Sequence, residues 1–289
     1  MKSGCKSFHD GDHSFHSPQV NPRKTTTFEV HHLGVEKEYY RAYFELERSH
    51  WWFTAREKII HRQLELLFVS GRHSKGAVRI LNVGCGTGRS TEYLSTFGEV
   101  ISVDSDSFCC EFTRNKTGIE IIHASADALP FADASFDLVC AFDVIEHIEN
   151  DARAVQEMKR VCKTNGTILI TTPAFMSQWS YHDVVNHHFR RYRMGELRKL
   201  FRQVPDGTEG FSSYFNCWLF LPVLLVRKTM NLLNDQKRRK GTGSDFETFV
   251  PGQFNGLLHA VMTSENLFLG NKIPLPFGVS LIFTWLKNK

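Results

Sequence analysis

The sequence lacks the features that define several large classes of protein. Its seven cysteines are scattered and include no Cys-x-x-Cys pair, which argues against a zinc knuckle or a disulfide scaffold and fits a reducing compartment. No apolar run reaches the roughly 18 to 20 residues that span a bilayer, and the amino terminus has no apolar core of a signal peptide. The net charge of +4 is small and no basic stripe is interleaved with aromatics, so we expect no nucleic-acid partner. These absences favour a cytoplasmic globular protein.

The residue pattern divides the chain into three parts. Residues 1–33 are polar, rich in Ser and His and without periodicity, and are predicted to form a disordered tail. Residues 34–75 have apolar residues at helical spacing and are expected to form an N-terminal helical cap. Residues 76–289 are assigned to the main domain, with a helical insertion within 206–278 before the last strand.

From residue 77 onward, short apolar runs alternate with helical patterns. Such alternation predicts a doubly wound α/β fold with a parallel sheet. The predicted strands of this part cover residues 78–83, 100–103, 119–122, 136–142 and 167–171. The last third is predicted to contain helices at 194–201, 219–233 and 254–268 and strands at 211–215 and 279–286.

A glycine-rich loop follows the first predicted strand. Gly84, Gly86 and Gly88 would let the backbone approach a ligand closely, although a tight turn between strand and helix explains them as well. Dinucleotide-binding loops carry a glycine where this chain has Arg89, whose bulk would hold the following helix away from the sheet. Asp104 ends the second strand about 20 residues further on, where a carboxylate accepts ribose hydroxyls. The pattern therefore favours a ribose-containing ligand without a pyrophosphate.

Five ordered motifs lie between residues 78 and 173. They are the loop at 81–89, the acid Asp104, Asp-Ala-Leu-Pro-Phe at 127–131, Ser-Phe-Asp-Leu-Val at 135–139 and Asp-Val-Ile-Glu-His at 143–147. This series resembles class I S-adenosylmethionine-dependent methyltransferases, most closely the branch that includes ubiquinone- and menaquinone-biosynthesis enzymes. The resemblance implies a mainly parallel, seven-stranded, Rossmann-like sheet, with S-adenosyl-L-methionine as the cofactor.

The same resemblance assigns roles to individual residues. The glycine loop would lie against the methionine and ribose parts of the cofactor, Asp104 would hold the ribose, and Asp127 would meet the adenine amino group. The segment 142–144 would flank the sulfonium. The residues predicted to bind the cofactor are accordingly Gly84, Cys85, Gly86, Gly88, Asp104, Ser105, Asp127, Ala128, Phe142, Asp143 and Val144.

Two groups of histidines follow the fourth and fifth strands. His147 is a candidate general base, although capping a helix or shaping the pocket would explain it equally well. In the second group, at 181–192, His187 is the candidate catalytic residue, and the segment is either a substrate-binding loop or a structural lid packed on Trp51 and Trp52. The spacing matches no metal-ligand motif, so no metal is predicted. The tentative substrate residues are Trp52, Arg56, His182, His188 and Arg191.

An apolar segment at 218–226 precedes a basic run at 237–240. Peripheral membrane contact would suit a lipid-like acceptor, whereas a core helix followed by a solvated basic loop accounts for the same residues. The sequence thus predicts an S-adenosylmethionine-dependent methyltransferase that acts on a small-molecule or lipid-like acceptor. The alternatives are a non-catalytic S-adenosylmethionine-binding scaffold protein and an NAD-dependent oxidoreductase, the second disfavoured by Arg89.

Overall fold

The computed structural model describes residues 40–74, 78–232 and 252–288. In the predicted helical cap, helix α1 covers 40–49 and helix α2 covers Trp51–Val69. His50 separates the two helices, and its Nδ1 accepts a hydrogen bond from the Trp52 amide, which caps α2. The predicted tail at 1–33 and the basic run at 237–240 lie outside the described residues.

The main domain contains all five strands predicted between residues 78 and 171, with shifted ends. The first half consists of β1 Arg79–Val83, α3 Arg89–Leu94, β2 Glu99–Asp104, α4 Ser107–Thr117, β3 Ile121–His123, β4 Phe136–Phe142, α5 Asp151–Val161 and β5 Cys162–Pro173. The second half consists of α6 Tyr181–Val185, α7 Met194–Arg202, β6 Gly207–Glu209, β7 Ser213–Phe215, α8 Phe220–Leu232, α9 Asn255–Thr263, α10 Asn266–Leu269 and β8 Ser280–Lys287. The predicted helical insertion therefore corresponds to α8, α9 and α10, between β7 and β8.

These strands form one mixed sheet in the order β3-β2-β1-β4-β5-β8-β6, with β7 also paired to β8. Strands β1 to β5 run parallel, and β8 pairs antiparallel with β5, β6 and β7. The chain leaves β1 toward one edge and returns with β4 on the other side. In such sheets, ligands bind beyond the carboxyl ends of the strands, next to the two strands where the chain changes direction, here β1 and β4. The predicted doubly wound, mainly parallel Rossmann-like sheet is confirmed.

The described sheet has eight strands rather than seven because its antiparallel edge is split. The sequence predicts one strand at 211–215, whereas β6 and β7 pair with β8 on either side of Gly210. The Gly210 amide still donates to the Thr284 carbonyl at 2.9 Å. A Cβ on Gly210 would lie 3.2 Å from side-chain atoms of Leu286 and Thr284, so the chain passes β8 closely there. The two short strands are one interrupted edge.

The predicted helix at 254–268 is also interrupted, between α9 and α10. Glu265 turns inward at the break and is fully buried. Its carboxylate accepts hydrogen bonds from the amides of Asn216, Cys217 and Trp218 at 2.6 to 3.1 Å. A buried carboxylate requires such donors, and the break therefore ties the insertion to the end of β7.

Apolar side chains cover both faces of the sheet because alternate residues of a strand point to opposite sides. Leu138 and Cys140 of β4 pack with α2, whereas Val139 and Ala141 pack with α5 and α7. The helices cover the two faces of the sheet, so the carboxyl edge of the parallel strands stays accessible to a ligand. In the part of the chain that the structure describes, no helix is long and apolar enough to cross a membrane.

Candidate active site

The loop after β1 uses backbone conformations that favour glycine. Gly84, Gly86 and Gly88 have φ angles of +67°, +51° and +89°. A Cβ on Gly84 would lie 2.5 Å from Cγ2 of Val144, so only glycine lets this loop pass the end of β4 without displacement. Gly84, Cys85 and Gly86 line a large cavity, whereas Gly88 caps α3 behind it.

Asp104 ends β2 and lines the same cavity, as does the neighbouring Ser105. Its carboxylate accepts hydrogen bonds from the amides of Gly86 at 2.9 Å and Asp106 at 3.0 Å. Burial raises the pKa of Asp104, while these amides favour its ionised form. Asp106 is the second acid of the segment, and its Oδ1 accepts from two amides in the first turn of α4. The structure thus gives Asp106 a capping role and leaves Asp104 as the carboxylate attached to the glycine loop.

Phe142, Asp143 and Val144, at the carboxyl end of β4, also line the cavity. Nη2 of Arg56 lies 2.9 Å from Asp143 Oδ2 and donates to the Thr171 hydroxyl at 2.9 Å, and that hydroxyl donates to Asp143 Oδ1 at 3.0 Å. Burial disfavours the charged form of Arg56, but Asp143 and the other acidic groups around it together outweigh this effect and raise the pKa of the guanidinium. Arg56 therefore holds Asp143 in place. A direct contact between Arg56 and the methyl acceptor remains a prediction.

The predicted adenine contacts lie beside the cavity rather than in its wall. Ala124, Ser125 and Ala126 line the cavity, whereas Asp127 and Ala128 are absent from its lining. Asp127 is linked to the wall because its Oδ1 accepts a hydrogen bond from the Ser125 hydroxyl at 2.5 Å. The contact between Asp127 and adenine thus stays a prediction.

Helix α1 brings the carboxylate of Glu47 to the glycine loop. The sequence patterns did not predict this contact. Tyr40, Tyr43 and Glu47 all line the cavity, and their spacing of three and four residues places them on one face of the helix. The Thr87 hydroxyl donates a hydrogen bond to Glu47, and burial raises the pKa of Glu47 to about 7. An acid among aromatics on one helical face is the signal that could have revealed it.

Asp183 of α6 is the centre of an ion-pair network in the loop after β5. It is fully buried, and its Oδ1 lies 2.8 Å from His188 Nδ1 and 2.7 Å from Arg191 Nε. Its Oδ2 accepts from Arg191 Nη2 at 3.0 Å and from the Ser180 amide at 2.8 Å. Burial alone would raise the pKa of Asp183, but His188 and Arg191 hold it well below its usual range. Arg191 thus has a positioning role, and anion binding by it remains a prediction.

Both histidine groups meet at the cavity, because His147, His182, His187 and His188 all line it. The rings of His147 and His188 meet edge to face with centroids 4.5 Å apart, and the ring of His182 lies 6.1 Å from that of His188. The His147 side chain is exposed to the cavity, but the protein atoms packed around it and the neighbouring imidazoles lower its pKa, which favours its neutral form. Glu146 beside it is fully buried, and burial raises its pKa.

One cavity of about 1150 Å³ joins the glycine loop to these histidines. Part of its wall is apolar and is formed by Leu219, Pro222, Val223, Val226, Leu258 and Val279. Trp52 also lines it, with Arg56 Cζ 5.2 Å from the centroid of the indole. Because a small-molecule site usually occupies roughly 300 to 1,000 Å³, this cavity has room for a cofactor and a second molecule.

Comparison with known proteins gives a consistent assignment. Residues 81–170 match the family model described as "Methyltransferase domain". A probable S-adenosylmethionine-dependent methyltransferase of Mycobacterium tuberculosis is 30% identical over 160 residues, which are 55% of this chain and 55% of the relative. The ubiquinone biosynthesis O-methyltransferase of Methylococcus capsulatus is 26% identical over 196 residues, covering 63% of this chain and 75% of the relative. The chain thus spans about half the length of the first of these relatives.

Residues 81–170 thus form a methyltransferase domain similar to that of S-adenosylmethionine-dependent methyltransferases. The fold of the chain agrees with that of a putative methyltransferase of Haloferax volcanii solved with the Trm112 methyltransferase activator. The TM-score is 0.53 at 14% identity, and the match covers 89% of this chain and 97% of the other.

The donor set of this cavity fits S-adenosylmethionine. Gly86 has open space where a Cβ would stand, so a ligand can lie against its backbone. Asp104 offers carboxylate oxygens for hydroxyl groups, and Glu47 offers a carboxylate for a cation. Arg89 replaces the third glycine of a dinucleotide loop and reaches away to α2, where its Nε lies 2.8 Å from Glu57. These residues agree with the methyl donor rather than with NAD.

Proposed function

We propose that the protein transfers a methyl group from S-adenosylmethionine to a small-molecule or lipid-like acceptor. The observation that carries the proposal is the single cavity shared by the glycine loop with Asp104 and by the histidines with the apolar wall at 219–226. The bound cofactor supplies a methyl group on a positively charged sulfur, an activated leaving group. The protein then has mainly to hold the acceptor atom within about 3 to 3.5 Å of that methyl group and to exclude water.

The cofactor would lie between β1, β2 and α1. Asp104 would accept hydrogen bonds from the ribose hydroxyls while its own position is fixed by the Gly86 amide, 2.9 Å away. Glu47 would face the ammonium group of the methionine part, since a nearby cation favours the ionised form of a buried carboxylate. Asp143, held by Arg56, would keep the segment 142–144 beside the sulfonium.

The acceptor would lie against the histidines with its apolar body on Pro222, Val223 and Val226 of α8. An acceptor with a polar group at one end and an apolar body would match the histidines and the apolar wall, respectively. The presence of a ubiquinone biosynthesis O-methyltransferase among the relatives agrees with such an acceptor. A neutral His147 would accept a hydrogen bond from a hydroxyl of the acceptor and so orient that group, whereas its lowered pKa makes it a weak proton acceptor.

Calorimetry tests the cofactor assignment directly. We expect S-adenosylhomocysteine to bind and NAD to show no heat of binding, because Arg89 occupies the place of the third dinucleotide glycine. A metabolite extract incubated with methyl-labelled cofactor should then yield a labelled product, identified by mass spectrometry. Tight binding of NAD alone would overturn the proposal, and cofactor binding without any labelled product would favour the scaffold alternative.

The lipid-like acceptor leads to a prediction about α8. This helix lines the cavity with one face and exposes Leu221 and Leu225, one turn apart, at 61% and 64%. Lys228 is exposed on the same helix, which favours an anionic lipid surface. Burial of the two leucines in lipid would contribute on the order of 3 kcal/mol. The double variant Leu221→Glu with Leu225→Glu should therefore bind anionic vesicles at least about tenfold more weakly in co-sedimentation.

A matched control is Val69→Glu at the end of α2, where the side chain is 82% exposed. This variant should bind vesicles as the wild type does, and all variants should keep their affinity for S-adenosylhomocysteine. A wild-type chain that stays in the supernatant with anionic vesicles would remove the docking prediction.

A further inference from the structure

Three potential metal ligands converge on the wall of the cavity. Glu146 and His147 lie in the short 3-10 helix Ile145–His147 after β4, and His188 lies in the loop after α6. Their ligand atoms all fall within 4.8 Å of one another, and all three residues line the cavity. Spacing along the chain gives no such indication, because the ligands come from two segments that only the adjacent strands β4 and β5 bring together.

The orientation of His188 is fixed by a carboxylate behind it. Its Nδ1 lies 2.8 Å from Asp183 Oδ1, and Arg191 holds the same carboxylate with two further contacts. An ionised Asp183 keeps the proton of His188 on Nδ1, so that Nε2 carries the free lone pair. Metal-binding histidines characteristically donate their second nitrogen to a carboxylate in this way.

Glu146 has an oxygen that lacks a donor. The residue is fully buried, and its Oε2 accepts a hydrogen bond from the Thr172 hydroxyl at 3.1 Å. Its Oε1 is also buried and has no hydrogen-bond partner among the described residues. A buried carboxylate oxygen without a partner is costly. A cation bound between Glu146 and the two imidazoles would supply that partner.

We propose that Glu146, His147 and His188 bind one divalent transition-metal ion such as Zn²⁺. Two imidazoles and one carboxylate are a usual donor set for metal sites that keep open coordination positions. Those positions would face the cavity, which all three residues line. If the proposed function holds, a hydroxyl of the acceptor would complete the coordination, and the cation would lower the pKa of that hydroxyl. The acceptor class would then be an alcohol or a phenol.

The test is a metal titration of the full chain without an affinity tag. Because the histidine-rich amino-terminal segment would also bind metal, the parent protein should carry serine in place of His9, His13, His16, His31 and His32. After dialysis against a chelator, Co²⁺ is added and its visible absorption bands are followed, with Zn²⁺ displacement measured by calorimetry. His188→Ala and Glu146→Gln remove ligands, and His187→Ala is the matched control from the same cavity wall.

The parent should bind one equivalent of Co²⁺, and each ligand variant should bind it at least about tenfold more weakly. His187→Ala should bind as the parent does. Glu146→Gln is nearly isosteric and decides the matter if His188→Ala disturbs the loop. No saturable Co²⁺ bands in the parent, or unchanged binding by Glu146→Gln, would overturn the proposal. S-adenosylhomocysteine affinity, measured on the same samples, separates this outcome from failure of the proposed function.

Discussion

An Asp104→Asn variant should bind S-adenosylhomocysteine about tenfold to a hundredfold more weakly than the wild type. In the structure the Asp104 carboxylate accepts from the amides of Gly86 and Asp106 and leaves its remaining lone pairs toward the cavity. Hydrogen bonds to a charged group contribute about 1.5 to 3 kcal/mol, which corresponds to this loss. In addition, the side-chain NH₂ group of an asparagine would face the backbone N–H of Gly86 or Asp106, and two donors repel each other. Isothermal titration calorimetry measures the effect.

Asp133→Asn is the matched control for this substitution. The Asp133 side chain is 78% exposed, pairs with Arg160 and is not part of the cavity wall. This variant should retain wild-type affinity, and the urea midpoint of Asp104→Asn should stay close to that of the control. Wild-type affinity in Asp104→Asn would exclude Asp104 from the cofactor site.

The end of the cavity at the glycine loop can be predicted from the sequence because its residues are close along the chain. The turn from β1 into α3 requires glycines at positive φ, and β2 ends beside β1, so Asp104 must meet the loop. Glu47 belongs to a helix that precedes the sheet in the chain, and its position is set by packing rather than by any local motif. From the sequence alone, one could predict only that Glu47 shares a helical face with Tyr40 and Tyr43, not that this face packs on the glycine loop.

The arrangement of the histidines at the other end of the cavity can be predicted only partly from the sequence. The sequence places His147 and the segment 181–192 after the fourth and fifth strands, at one edge of the predicted sheet. The structure pairs these two strands, and both groups line one cavity. The sequence does not show that Arg191 pairs with Asp183 inside the segment, because both residue types equally suit a binding loop. Arg56 presents the same difficulty, since its partner Asp143 lies on a different element.

Asp183→Asn is expected to lower the free energy of unfolding by about 3 to 5 kcal/mol, because removal of one partner leaves a buried charge unpaired. Arg191 is 3% exposed, and its two contacts with Asp183 are 2.7 and 3.0 Å long. Urea unfolding at neutral pH measures the loss. Because Asp183 is not part of the cavity wall, affinity for S-adenosylhomocysteine should change only a few-fold while the protein is folded.

The pH dependence of stability supplies an independent check on the same network. The pKa of Asp183 is lower in the folded protein than its usual value of about 4. Its contribution to stability is therefore present above about pH 4 and is lost as the pH falls toward the folded pKa. Asp183→Asn should flatten this acid limb, whereas Asp133→Asn, whose side chain is 78% exposed, should keep it. An unchanged acid limb in Asp183→Asn would contradict the assignment.

The double variant Asp183→Asn with Arg191→Met distinguishes an unpaired charge from simple loss of packing. It removes both charges while keeping side chains of similar length, and replacing a buried ion pair by uncharged groups is often tolerated. The double variant should therefore be more stable than Asp183→Asn alone. If the two losses simply add, the ion pair between Asp183 and Arg191 is not what orders the loop. A stable double variant would also leave His188 without its carboxylate, so metal binding should weaken although the fold is retained.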